Sequence, residues 1–262
     1  MSVVTLMYHA LYASDAGRAA LEPSDLPYAV SCDEFERQMR AIAELGIAVL
    51  DARTMARMPT GSPGVVITFD DGHASDRALA LPMLRRHGFP ATMFVTTDFI
   101  GRRPGYCTWD EVAELSQAGL AIGSHGKTHR FLSDLPPGEL ERELQDSSEA
   151  IRSCTGASPE LLSFPGGRYS GESLRAAGRC GYRWAFSSIP GAHGTFPPAA
   201  GTPIRRLPVR ASTSLDEFSR MVQGDARLMA TERLKYEVKR MARTVIGNAR
   251  YDKLYQRRAG SP

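Results

Sequence analysis

An alternation constrains this chain more than any other feature. Short, mostly continuous apolar runs are separated by longer stretches with helical spacing, and the helical stretches stop just before glycines. The runs are Val3 to Tyr8, Val65 to Phe69, Ala91 to Val95, Leu120 to Gly123, Leu161 to Phe164, Arg183 to Phe186 and Ile204 to Val209. Strands that are apolar on both faces belong to parallel sheets covered on both sides. The helical stretches are Asp33 to Leu45, Leu79 to His87, Asp110 to Ala118, Gly138 to Cys154 and Glu172 to Cys180. A glycine just past the last turn is the expected helix stop, because it takes the left-handed conformation without a Cβ penalty. Repeated βα units predict a parallel sheet or barrel. Ile189 to Pro203, rich in Pro and Gly, reads as a loop.

The 262 residues are 42% hydrophobic and 23% charged, which supplies one sizeable core rather than two. A net charge of +3 gives no global argument for nucleic acid, so none is expected as a partner. Met1 to His9 has no basic leader and no long apolar run, and reads as a buried strand. Cys32, Cys107, Cys154 and Cys180 are isolated, without a C-x-x-C pair, and are expected as free thiols. Together these features set the expectation of a cytoplasmic location.

Two segments carry chemistry. Thr68-Phe69-Asp70-Asp71-Gly72 follows Val65-Val66-Ile67, so two acids stand at the carboxyl end of a buried strand, where α/β folds keep their ligands. Adjacent carboxylates disfavour each other's ionisation unless a cation is near. For an isolated Asp-Asp-Gly, a turn that caps the next helix is the ordinary explanation. Ser124-His125-Gly126-Lys127-Thr128-His129 again follows a strand. Two imidazoles four residues apart converge if the segment is helical or tightly turned, and with one carboxylate they form a His₂Asp set with open positions. One exposed and one structural histidine would be the ordinary explanation of that spacing alone. The joint pattern is far more specific than either half.

With these motifs the sequence resembles the polysaccharide deacetylase family, also called NodB-homology or carbohydrate esterase family 4. The resemblance runs from Val3 to about Phe218. It includes Tyr8-His9, the Thr68 to Gly72 motif, Leu81-Pro82-Met83-Leu84, Pro90 to Val95, the two histidines, and Phe164-Pro165-Gly166-Gly167. It implies a distorted (β/α) barrel of about seven parallel strands over residues 1–215; residues 216–262 read, from their own helical spacing and basic excess, as a helical basic C-terminal extension. It implies one divalent metal on Asp71, His125 and His129, with zinc the default and cobalt, nickel or iron compatible. Asp70 is then the general base. Pro165, Gly166 and Gly167 line the substrate groove, with the Gly166 N–H as oxyanion donor. The expected reaction is removal of an acetyl group from an amino sugar, on a nucleotide- or lipid-linked saccharide of surface-glycan biosynthesis. Removal of formyl or another small acyl group is the alternative within the same chemistry. A catalytically silent glycan-binding module is the alternative outside it.

Two departures from the family pattern motivate that last alternative. The arginine expected two residues before the motif proline is Ser163, with Arg168 the nearby stand-in. The late histidine expected as general acid is missing from Ile204-Arg205-Arg206-Leu207-Pro208-Val209. His193 is the candidate replacement acid, and His9, at the end of the first strand, a second histidine that could face the site. His73 sits beside the metal motif, and Trp109 after Thr108 reads as a helix start.

From Asp225 to Arg258 ten basic residues stand against four acids, with Leu228, Met229, Leu234, Val238, Met241, Val245 and Ile246 at near-helical spacing. Two readings follow: a basic amphipathic helix touching an anionic membrane from its inner face, or a helix packed on the barrel with solvated cations.

Overall fold

The computed structural model describes residues 2–57, 63–199 and 201–246. Ten strands occur among them. They are β1 (Val3–Tyr8), β2 (Leu11–Tyr12), β3 (Val30–Ser31), β4 (Gly64–Phe69), β5 (Thr92–Val95), β6 (Ala121–Ser124), β7 (Leu161–Ser163), β8 (Trp184–Phe186), β9 (Ala192–His193) and β10 (Leu207–Pro208). The helices are α1 (Asp15–Ala19), α2 (Cys32–Glu44), α3 (Leu81–His87), α4 (Trp109–Gln117), α5 (Pro137–Thr155), α6 (Gly171–Arg179), α7 (Leu215–Val222) and α8 (Ala226–Ile246).

Seven strands form one parallel sheet in the order β10-β1-β4-β5-β6-β7-β8. Ile204 also bridges Phe186 of β8, so residues 204–208 meet both edges and curl the sheet into a distorted barrel. The expected last strand is shorter than its apolar pattern. Pro203 and Pro208 have no N–H, while the Arg205 and Arg206 amides bond to His193 Nε2 and Ile189 O instead of the sheet. The helix stops fall where glycine predicted them: Gly46, Gly88, Gly119, Gly156 and Gly181 all have positive φ. Trp109 does begin a helix, closed by a Thr108–Glu111 capping box. The segment 9–31, left unassigned by periodicity, forms β2, α1, a 3₁₀ turn at Leu26–Tyr28, and β3.

Strand parity sorts the side chains into an outer and an inner face. Val4, Leu6 and Tyr8, with Val65, Ile67 and Phe69, face outward into a core shared with α2, α3, α4 and α7. Val3 and Val66 face inward and meet Phe94, Phe186 and Ile204 at the amino end of the barrel. The inward positions nearer the carboxyl end are Thr5, Met7, Thr68 and Asp70. Its interior therefore grades from apolar to polar toward the mouth. Phe218, Met221, Val222 and Leu228, from α7 and α8, belong to the outer core, so the helical extension packs on the barrel. No helix among the described residues is long and apolar enough to cross a membrane. The four cysteines are free thiols.

Phe35 of α2 anchors the outer core, edge-on to Tyr8 (centroids 5.2 Å) and Phe69 (5.8 Å), with no exposure. Phe35→Ala leaves a cavity that this close packing cannot collapse. It should cost about 3–5 kcal/mol in urea denaturation. A loss below about 1 kcal/mol would contradict the packing role.

Candidate active site

The carboxyl ends of β1, β4 and β6 open into a cavity of about 590 Å³. Asp70, Asp71, His125 and His129 line it, with His9 and Gly166 beside them. Asp70 leaves β4 still in register, its N–H donating to Tyr8 O at 3.0 Å. Asp71 turns with φ 78°, which redirects its side chain toward β6. Asp71 Oδ1 lies 3.4 Å from His125 Nε2 and 3.2 Å from His129 Nε2.

Each ligand candidate is held from behind. His125 Nδ1 is 2.9 Å from Ser163 O, so that nitrogen carries the proton and Nε2 keeps its lone pair toward Asp71. His129 reaches back through a tight turn, itself at φ 65°. Glu143 of α5 fixes that turn, its Oε1 accepting from the Lys127 and Thr128 amides (2.9 and 2.6 Å) and the Thr128 hydroxyl (2.9 Å).

A divalent cation fits this set. Asp71 Oδ1 is buried with no hydrogen-bond partner among the described residues, and two imidazole nitrogens converge on it at ligand–ligand spacing. Burial would raise the Asp71 carboxyl, yet His129 and His125 hold it well below the usual carboxylate range. A bound cation would do the same with more charge.

Asp70 belongs to a different network. Arg206, with 0% exposure, spans the barrel interior and uses all five of its N–H donors. Nη1 donates to Asp70 Oδ1 (2.7 Å) and Thr68 Oγ1 (3.2 Å), and Nη2 to Asp70 Oδ2 (2.7 Å) and Ser163 Oγ (2.8 Å). Nε donates to Ser187 O at 3.0 Å. Ser163 Oγ donates onward to Asp70 Oδ2 at 3.2 Å. Burial alone would raise the Asp70 carboxyl, and Arg206 overcomes it, holding it below its ordinary value.

Several expectations are corrected here. Arg168 does not orient Asp70: its guanidinium stacks over Phe131 at 3.8 Å, and Arg206 takes that position from the opposite edge of the sheet. His193 is not at the site. It pairs with Val3 at the amino end of β1, about 16 Å of strand from Tyr8, and its Nε2 accepts from the Arg205 amide at 2.8 Å. Burial and Arg205 push that ring down to about 4. The lipid-facing reading of the tail gains no support. Lys235, Tyr236 and Lys239 of α8 face the cavity, and buried Glu232 pairs with Arg210 (2.9 Å) and Lys235 (2.8 Å). Leu234, Val238 and Met241 are exposed, and Arg250, Lys253, Arg257 and Arg258 lie outside the described residues.

Other expected residues take intermediate places. Gly166 lines the cavity at φ 60°, where a Cβ would stand 2.6 Å from Phe131 Cε1. Pro165 and Gly167 are buried behind it and shape the turn. His9 stacks on Tyr28 (4.8 Å), and its Nδ1 is buried with no hydrogen-bond partner among the described residues. His73 is buried against Asp71 and Tyr106 rather than at the rim. Sequence reasoning missed Arg206, Glu143, Asp25 and Tyr28.

Comparison with known proteins gives a consistent picture. Residues 57–185 match the family model described as polysaccharide deacetylase. YxkH of Bacillus subtilis, itself placed among the polysaccharide deacetylases, is 30% identical over 192 residues, covering 71% of this chain and 64% of that protein. A chitooligosaccharide deacetylase of Sinorhizobium fredii is 31% identical over 131 residues, covering 49% of this chain and 59% of that protein. The chain thus spans about three fifths of the length of these relatives. Among solved structures, the Streptococcus pyogenes deacetylase PplD, in complex with acetate, superposes with a TM-score of 0.72 at 21% identity. That match covers 85% of this chain and 98% of the other. A de-N-acetylase of Aggregatibacter actinomycetemcomitans gives 0.71 at 19% identity, over 84% of this chain and all of the other.

Two outcomes follow from this geometry. After dialysis against trace metal, wild type should retain an ion that His125→Ala lacks, by elemental analysis; equal retention would remove His125 from the ligand set. Arg206→Met strands a buried carboxylate and should cost about 3–5 kcal/mol at neutral pH. In wild type the depressed Asp70 value contributes stability above the ordinary carboxyl value of 3.8, lost as pH falls through the folded value. In the variant burial is opposed only by the weaker pull of His125 and His9, the folded value rises, and ionisation destabilises as pH climbs through it. The gap between the two proteins should therefore widen from acid to neutral pH in denaturant titrations. A pH-independent gap would contradict the pairing.

Proposed function

Because the chain belongs to the polysaccharide deacetylase superfamily, the NodB-homology or carbohydrate esterase family 4 group, we propose that it is a metal-dependent N-deacetylase of acetamido sugars. The observation that carries the reading is Asp70. It is a buried carboxylate kept ionised by Arg206, one residue from the Asp71, His125 and His129 set, on the floor of an open cavity. A binding module has no need of such a base. Arg206 also removes one of the two grounds for a silent module, since the missing arginine is supplied from elsewhere in the chain.

An amide is a poor electrophile and water a poor nucleophile. A divalent cation on Asp71, His125 and His129 supplies Lewis acidity toward both. The chain's own groups do the rest. Asp70 accepts the proton of the attacking water at a carboxylate oxygen, and the bidentate Arg206 keeps that carboxylate aimed and charged. The backbone at Gly166 faces the same cavity and is the candidate donor to the developing oxyanion. His9 is the candidate proton carrier for the departing amine. Its ring lines the cavity, is fixed by stacking on Tyr28, and keeps a buried Nδ1 free of protein partners among the described residues. Burial lowers the His9 ring, so it holds no second proton of its own at neutral pH; the proton it passes to the departing amine is the one that Asp70 takes from the water.

Tyr28, Phe99, Tyr106, Phe131 and Tyr236 give the cavity aromatic faces suited to sugar rings, and Lys235 and Lys239 stand at its α8 side. A nucleotide- or lipid-linked saccharide fits this mixture of apolar faces and cations. The test incubates purified protein with nucleotide-linked, lipid-linked and free acetamido sugars and reads loss of one acetyl group by mass. Release of formyl but not acetyl would move the assignment to another acyl group.

Asp70→Asn should abolish turnover, at least a hundredfold on the scale of a lost general base, while metal content stays unchanged. The side chains are nearly isosteric and the amide cannot accept the proton, but the change also leaves the Arg206 charge without its anion, so turnover is read per folded, metal-loaded chain. Activity within a few-fold of wild type would remove Asp70 from the mechanism.

A further inference from the structure

Asp71 turns its two carboxylate oxygens to two different sets of side chains. Oδ1 faces His125 and His129, as described above. Oδ2 faces the other way and lies 3.8 Å from His73 Nε2. The same His73 nitrogen lies 3.8 Å from Asp25 Oδ2. One ligand atom each from Asp25, Asp71 and His73 falls within 4.8 Å of the others.

His73 is 2% exposed, and its Nε2 has no hydrogen-bond partner among the described residues. A buried ring nitrogen aimed between two carboxylates at 3.8 Å is outside hydrogen-bond reach of either. Two atoms 3.8 Å apart subtend roughly 110° at a point about 2.3 Å from both, an ordinary angle and length for ligands of one divalent cation. The ring is also seated: it stacks on Tyr106 at 4.7 Å, and its backbone bridges Tyr106. Asp25 and Tyr106 line the cavity, so an ion could enter from solvent. Asp70 is engaged by Arg206 through both oxygens, whereas Asp71 and Asp25 each turn an oxygen toward His73 Nε2.

We propose that Asp71 bridges two divalent cations, the second held by His73 and Asp25 on the far side of the carboxylate from His125 and His129. A shared carboxylate between ions about 3.5–4 Å apart is the arrangement of two-metal hydrolase sites. Two carboxylates and one imidazole suit Mn²⁺ or Zn²⁺. The wider spacing here than around Oδ1 makes this the weaker site, filled only with metal in excess. The inference rests on the reading of Asp71 as a metal ligand.

The experiment counts Mn²⁺ bound per folded chain by native mass spectrometry, after dialysis and again with Mn²⁺ in excess. Expected are one ion and then two in wild type, with electron paramagnetic resonance of the loaded form showing coupled rather than isolated ions. Asp25→Ala and His73→Ala should bind one ion in excess metal, and His125→Ala should lose the tightly held one. The Asp25 carboxylate accepts from the neighbouring Ser24 hydroxyl at 3.3 Å, a contact within its own turn, so its variant tests the site even where His73→Ala fails to fold. A single ion in wild type, lost in His125→Ala and kept in Asp25→Ala, overturns the second site and leaves the deacetylase reading standing. Two ions in Asp25→Ala overturn its ligand assignment. No ion in wild type overturns both readings at once.

Discussion

The pairing of Arg206 with Asp70 inside the barrel governs what the rest of the site can do. A buried carboxylate left alone would take up a proton, and a buried guanidinium cannot release one. Each is tolerable only with the other, and with the remaining donors satisfied by Thr68, Ser163 and the Ser187 carbonyl. Such pairs are weak evidence for net stability, since desolvation offsets much of the attraction. Their contribution here is chemical and topological. The pair fixes the charge of Asp70, and it ties residue 206 near one sheet edge to strands β4 and β7 across the interior.

That tie depends on the gradient along the barrel axis. Val3, Val66, Phe94 and Phe186 fill the amino end with apolar side chains. Thr68 and Ser163 follow at inward positions small enough to admit a guanidinium and polar enough to bond it. Asp70 and the carboxyl end of β1 come last and open to the cavity. A Val at Thr68 or Ser163 would remove a bond and fill the space, so the same positions that make room for Arg206 also satisfy it.

Much of this was legible in the sequence. Continuous apolar runs and glycine stops placed the expected strands and helices, the last strand excepted, to within about two residues, because parallel strands and left-handed C-caps leave local signatures. The Asp-Asp and His-x-x-x-His motifs converged because both sit at strand ends of one parallel sheet. Arg206 was passed over because its partner is 136 residues away, and no local pattern encodes that contact. The available signal was parity: between outward Leu207 and a bridging Ile204, residue 206 had to point inward, and an inward arginine must have an anion. His193 failed for the complementary reason, since a histidine in a loop carries no sign of which end of the barrel the loop returns to. Asp25 and Tyr28 lie in the segment 9–31, whose short elements are fixed by contacts such as Leu11 N to Ser75 Oγ rather than by periodicity.

Among the described residues the two non-glycine positions with positive φ are Asp71 and His129, both of them ligand candidates. Asp and His tolerate that region better than branched residues, yet each still costs of order 1 kcal/mol. Such conformations persist only where the surroundings over-determine them. Asp71 is held by its carbonyl, which accepts from Thr96 N–H at 3.2 Å, and by Gly72, where a Cβ would press Ile100 at 2.9 Å. His129 is held by the three bonds that Glu143 makes to the turn before it. The ligand geometry is thus imposed by β5, α5 and their loops before any ion arrives. A site organised in this way gains little from rearrangement on binding, so its affinity is set by the donor atoms and by the protons that must leave them. The strain stays in the backbone of the two residues that gain most from a cation.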